Sequence, residues 1–156
     1  MHNKIDSTEL AYYIINSKKY PNLSHLKLQK LLYYIQSWHL VFFDKKIFDD
    51  SFQAWVHGPV SRKIYDTFKD ESILHNELSP NLLKGNNLKS ILSDEQFQLI
   101  NDVLDEYGDK TPYHLECLTH EEKPWKEARG NCSLNEKCTN IINEDTIKEY
   151  YTTLIA

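Results

Sequence analysis

The stretch SHLKLQKLLYYIQSWHLVFF, Ser24 to Phe43, limits what this chain can fold into more than any other feature. Ser24 is a natural N-cap, and neither glycine nor proline follows it before Asp44, so the stretch reads as one long α-helix. Set at about 100° per residue, Leu28, Leu31, Leu32, Tyr34, Ile35, Trp38, Val41 and Phe42 cover roughly half the circumference. Tyr33 and Leu40 form a second apolar patch beyond Gln29 and Gln36, which leaves Lys30 and Ser37 as the solvated line. A helix this widely apolar is either the central helix of a core or one side of an interface, and core is the commoner fate of such a stripe.

Helical periodicity dominates the remainder. In DSTELAYYIINS, Asp6 and Glu9 stand three apart as a capping box, with Leu10, Tyr13 and Ile14 on one face. After the long helix, Asp49-Asp50-Ser51 is a turn cluster, and Phe52, Ala54 and Val56 alternate with Gln53 and Trp55 as in a half-buried strand. A short hairpin, Lys46–Phe48 against Phe52–Val56, is expected there. Gly58-Pro59 should then open a third helix, since proline tolerates the first helical position, with Val60, Ile64 and Phe68 inside.

Residues 69–90 carry Pro80, Gly85 and Asn86-Asn87 without a clean period and read as a long, partly ordered connection. Ser93 with Gln96 caps the next helix, whose face is Phe97, Ile100, Val103, Leu104 and Tyr107, and Gly108 is expected in a left-handed C-terminal position. Thr111-Pro112 starts another helix carrying Leu115 and Leu118, THEEKP ends it, and Trp125–Arg129 adds a turn. Gly130–Cys138 reads as loop, and Asn143 caps a last helix with Ile147, Tyr150, Tyr151 and Leu154 buried. The fold class is therefore mainly α: a single compact domain over residues 1–156, with about six helices and a short β-hairpin between the second and third.

Composition narrows the function. The 156 residues are 40% hydrophobic and 12% aromatic, enough for one core. No apolar run is long enough to span a membrane, and MHNKIDSTEL has no export-signal order, so a cytoplasmic protein without a membrane partner is expected. Residues 1–75 carry ten Lys/Arg against eight Asp/Glu, and residues 76–156 carry eight against fifteen. Without a basic stripe, direct nucleic-acid binding is not expected, whereas the acidic second half suits a basic protein. Cys117, Cys132 and Cys138 read as free thiols, and the Cys132/Cys138 spacing lacks the tight knuckle of a zinc site.

A hydrolase would recruit His57 and His120 with Glu121 or Glu122, as imidazole beside a carboxylate is the usual general base and its orienter. No nucleophile stands in a signature context, so no catalytic residue, cofactor or metal site is assigned. His114 and His120, six apart, lie about 240° round a helix and share no face. The structural alternatives are His57 bonding the local backbone beside Gly58-Pro59, and His120 as a cationic ring at a helix end. Among Trp38, Trp55 and Trp125, which are more often core than site, Trp55 is the candidate for exposure to a partner.

LKLQKLLYYIQSWHLVFFDKKIFDDSFQAWVHGPVSRKIYDTFKD, followed by VLDEYGDKTPYHLECLTHEEKPWKEAR and INEDTIKEYY, resembles the Panacea domain of SocA-like antitoxins and phage-associated proteins. The resemblance spans Ser7 to Tyr151, and its motif positions Gln29, Lys30, Tyr33, Tyr34, Gln36, Trp38, Gly58, Pro59 and Trp125 are expected to be structural. It implies a mostly helical antitoxin that binds and neutralises a cognate protein toxin. A protease adaptor, handing the toxin to an ATP-dependent protease, is the alternative it leaves open. The partner-binding candidates are Trp55, His57, Tyr65, His120 and Glu121.

Overall fold

A computed structural model describes residues 2–17, 19–70 and 77–155. Its elements in order are α1 (Ser7–Ile15), α2 (His25–Phe43), β1 (Phe52–Trp55), β2 (Gly58–Ser61), α3 (Arg62–Phe68), α4 (Leu88–Ile91), α5 (Asp94–Tyr107), α6 (Pro112–Glu121), α7 (Lys123–Arg129) and α8 (Glu144–Thr153). The mainly helical class and the hairpin between the second and third helices are both present. Two short helices, α4 and α7, raise the number above six.

The long apolar helix is the axis. Around α2 pack α5 and α8 most extensively, then the hairpin, α1, α3 and α6. Leu28, Leu31, Leu32, Tyr34 and Ile35 are fully buried, as the periodicity requires. Lys30 and Ser37 are buried as well, so the predicted solvated line does not exist: neighbours close around the helix except near its C-terminal end, where Phe42 is exposed. The polar residues survive burial by finding partners. Ser37 Oγ donates to the Tyr33 carbonyl at 2.7 Å.

Gln29 and Gln36, seven residues and two turns apart, act as backbone clamps. Gln29 Oε1 accepts from Ser61 N–H at 2.8 Å while its Nε2 donates to the Ser61 carbonyl at 3.2 Å. Gln36 does the same upstream, accepting from Ile47 N–H at 2.9 Å and donating to the Phe48 carbonyl at 2.7 Å. Each side-chain amide thus imitates a strand edge and satisfies buried backbone that no strand covers.

This explains why the hairpin differs from expectation. The partner of β1 is Gly58–Ser61, in antiparallel register Phe52↔Ser61 to Trp55↔Gly58, and Lys46–Phe48 is held by Gln36 instead of pairing. Pro59 therefore lies within β2, and α3 begins only at Arg62, capped by the Ser61 hydroxyl. The other side of β1 is also covered, Ala54 N–H donating to the Asn140 carbonyl and Ile142 N–H to the Phe52 carbonyl.

Three further details depart from the sequence reading. Asp6 caps α1 through Thr8 N–H, and Glu9 reaches away to Gly85 N–H at 3.2 Å, so no capping box closes there. Ser93 and Gln96 do form one on α5. Gly108 has φ −68°, an ordinary helical value; a Cβ there would strike the Leu104 carbonyl oxygen and, at 2.5 Å, the Tyr20 ring. Residues 71–76 of the presumed loose connection lie outside the described set. The part beyond them is tethered, Leu78 N–H to the Leu23 carbonyl and Asn16 Nδ2 to the carbonyls of Asn81 and Lys84, and it includes α4.

Candidate functional site

The turn joining β1 to β2 consists of Val56 and His57, and Gly58 closes it at φ +111°, where a side chain is strained. A Cβ there would also overlap the Lys30 side chain. The AWVHGPV corner is thus shaped from below by α2. Above it opens a cleft of about 460 Å³ lined by Trp55, His57 and Tyr65 with Arg62, Lys137 and Thr139.

Arg62 sits over both rings, 5.0 Å from the Trp55 centroid and 5.9 Å from that of Tyr65, and the rings are 4.9 Å apart. Trp55 is locked in turn by its indole N–H, which donates to Gln53 Oε1 at 2.8 Å. The lining carries two permanent cations and no carboxylate. Such an arrangement can stack a planar group and attract negative charge.

His57 Nδ1 faces Glu116 Oε1 of α6 at 3.0 Å. Behind this pair lies Lys30, fully buried, with Nζ reaching the Pro59 carbonyl at 3.4 Å. Burial pushes the Lys30 ammonium down to about 7, against the opposing pull of Glu116.

His120 stacks on Trp125 at 4.1 Å and 18°, and its Nε2 is buried without a hydrogen-bond partner. Burial lowers its pKa, so the ring is neutral at physiological pH, not the cation expected of a helix end. It belongs to the floor and does not line the cleft. Trp125 completes that floor by donating from Nε1 to the Trp55 carbonyl at 2.8 Å. Glu121 is exposed at the end of α6 and is not part of the cleft lining. The structure therefore brings Trp55, His57 and Tyr65 together and sets His120 and Glu121 apart.

Four residues hold decisive positions to which the sequence reading gave no structural role. Arg62 and Glu116 are two. A third is Glu122, buried between α6 and α7, where its Oε1 accepts from Tyr34 at 2.8 Å and Tyr151 at 2.7 Å, with Tyr151 also bonded to Tyr33. Burial raises its carboxyl to about 7 despite both hydrogen bonds. The fourth is Arg129, buried, which donates to the carbonyls of Ala54, Ser133 and Glu136 and so holds the Gly130–Cys138 loop against the hairpin. The available signal was helical spacing: Glu116 and His120, and Trp125 and Arg129, stand four apart on one face.

Of the remaining motif positions, Tyr33, Tyr34, Gly58, Pro59 and Trp125 are buried, and Trp38 is partly buried, donating from Nε1 to Tyr107 Oη at 3.0 Å. The three cysteines are free. Among the described residues no group of three or more His, Cys, Asp and Glu could hold a metal ion, and no helix is long and apolar enough to cross a membrane.

A sequence model described as antitoxin SocA-like, Panacea domain, matches residues 28–126, well over half of the chain and narrower than the Ser7–Tyr151 resemblance. No curated protein and no solved structure matches in the same comparisons.

Proposed function

Because the chain belongs to the SocA-like antitoxin family that carries the Panacea domain, we propose that it neutralises a cognate protein toxin by direct, stoichiometric binding. The hairpin cleft is the proposed contact. The family match carries this reading, and the hairpin and α3 side of the cleft, with Trp55, His57, Arg62 and Tyr65, lies within it, whereas Lys137 and Thr139 on the opposite wall lie beyond its end.

The chemistry of the cleft supports the choice. Trp, Tyr and Arg are the residues that most often carry binding energy at interfaces, and Trp55, Tyr65 and Arg62 stand in mutual contact on an exposed corner. Their positions are fixed before binding by β-sheet pairing, by Gln29 and by Arg129, which limits the ordering cost of association. A binding module of this kind needs neither nucleophile nor cofactor.

The test is growth rescue. The adjoining reading frame is expressed alone and with this protein, and with a Trp55→Ala/Arg62→Glu variant whose melting temperature has been checked. Toxicity that the parent relieves and the folded variant does not is the expected result. Toxicity that persists with the parent defeats the antitoxin reading. Equal rescue by both proteins moves the contact elsewhere. If relief instead requires an ATP-dependent protease and the toxin's lifetime falls, the protein works as an adaptor.

A further inference from the structure

A second surface, on the far end of α2, has a different chemistry. Phe42, Leu154 and Ile155 are 56%, 52% and 55% exposed, and with Trp38 and Val103 they line a groove of about 460 Å³ between α2, α5 and the end of α8. Large apolar side chains left side by side in water mark an interaction surface more often than chance exposure does. The cleft at the hairpin shares no residue with this groove.

One wall identifies the occupant. Asp102 and Glu106 line the groove from α5, both exposed, and neither forms an ion pair among the described residues. Four positions apart on a helix, they are separated by about 6 Å along its axis. That spacing matches two cations one turn apart on a facing helix. A second copy of this chain fits poorly, because a two-fold interface here would bring the same acidic wall against itself. Anionic lipid is disfavoured by the same charges.

We infer that the Trp38–Phe42–Leu154 groove docks a basic amphipathic helix of the toxin, its apolar stripe in the groove and its Lys or Arg side chains on Asp102 and Glu106. The inference rests on the antitoxin reading for the source of the helix, and it adds a second anchor to the cleft. Two separated anchors on one rigid partner multiply their effects, so loss of either weakens neutralisation steeply.

The probe is a fluorescein-labelled Leu/Lys peptide of about 18 residues, five helical turns, with a Leu/Glu peptide of the same apolar pattern as its control. Anisotropy should show the Leu/Lys peptide binding at least about ten-fold more tightly than the control. Phe42→Ser/Leu154→Ser should weaken it by a similar factor, and Asp102→Asn/Glu106→Gln, two exposed changes that leave folding intact, should erase the preference for lysine. Equal binding of both peptides, or binding that survives both double variants, overturns the inference. So does a dimer in sedimentation that Phe42→Ser dissolves, since the groove is then filled by a second copy. In the growth assay the two readings separate: if the parent rescues and the folded groove variants rescue equally well, the groove is not used although the protein is an antitoxin. If the parent itself does not rescue, the antitoxin reading fails whatever the peptides do.

Discussion

The hairpin cleft and the α2–α5–α8 groove are built in opposite ways. The cleft presents cations and stacked rings, and it rests on polar groups, Gln29 and Lys30 fully buried and Glu116 and His120 partly so. The groove presents apolar side chains beside carboxylates, and it rests on a largely apolar floor including Leu99 and Val103. Both surfaces use the same helix, α2, at its two ends. Rigidity at the first depends on hydrogen-bond geometry, which is directional and intolerant of an unpaired partner, whereas at the second it depends on packing volume.

The largest effect should come from the floor they share. Ile35 and Leu32 are fully buried on α2, and truncation of either to alanine should cost about 2–5 kcal/mol in urea unfolding. Phe42→Ala, on the same helix but 56% exposed, should fall within about 0.5 kcal/mol of the parent. If the Phe42 change costs as much as Ile35→Ala, the groove is core and not a surface, and the contrast disappears.

Next comes the clamp beneath the cleft. Gln29→Leu keeps the volume but strands the buried Ser61 N–H and carbonyl, at about 1–3 kcal/mol for each unsatisfied group. The loss should be local as well, and hydrogen exchange at Ser61 and Ile64 should accelerate more than at Ile100 in α5. Uniform acceleration would show that the hairpin has no stability of its own to lose.

What the sequence disclosed divides along the same line. Apolar periodicity placed α2, α5 and α8 and most of their inner faces because burial of a stripe is decided by nearby residues on the same helix, but Leu154, expected inside, is 52% exposed, because it lies past the end of α8. It failed at Ser37 and at Lys30, and the burial of Lys30 depends on the hairpin folding back over α2, a contact between residues far apart in the chain. The hairpin partner was misplaced for a related reason: Lys46–Phe48 has strand-like neighbours, but Gln36 supplies its hydrogen bonds instead. AWVHGPV drew notice through its rare residue types, and three of the five binding candidates meet around it. The groove stayed hidden because Trp38 and Phe42 belong to the same apolar stripe as the core, and only the end of the neighbouring helices leaves them uncovered.

The last predictions concern pH, and they separate the polar foundation from the rest. Glu122 has its carboxyl raised from 4.5 to about 7, so the folded protein holds a proton there that the unfolded chain has released. Its contribution is complete below pH 4.5 and is lost as pH rises through 7, at up to about 1.4 kcal/mol per pH unit. Lys30 runs the other way. With its ammonium lowered from 10.5 to about 7, the burial penalty persists below pH 7 and is relieved as pH climbs towards 10.5. Glu122→Gln should therefore remove a decline in stability between pH 4.5 and 7, and Lys30→Met should remove a rise above pH 7. Each effect is read as variant minus parent from chemical unfolding at a series of pH values. The buried His39, lowered to about 4, gains stability with rising pH in the acid range, but it is common to both proteins and cancels. A Lys30→Met difference that stays flat from pH 7 to 10 would mean the ammonium keeps its charge through a stronger bond to Glu116 than desolvation allows. The cleft floor would then be an ion pair and not a neutral amine packed under a turn.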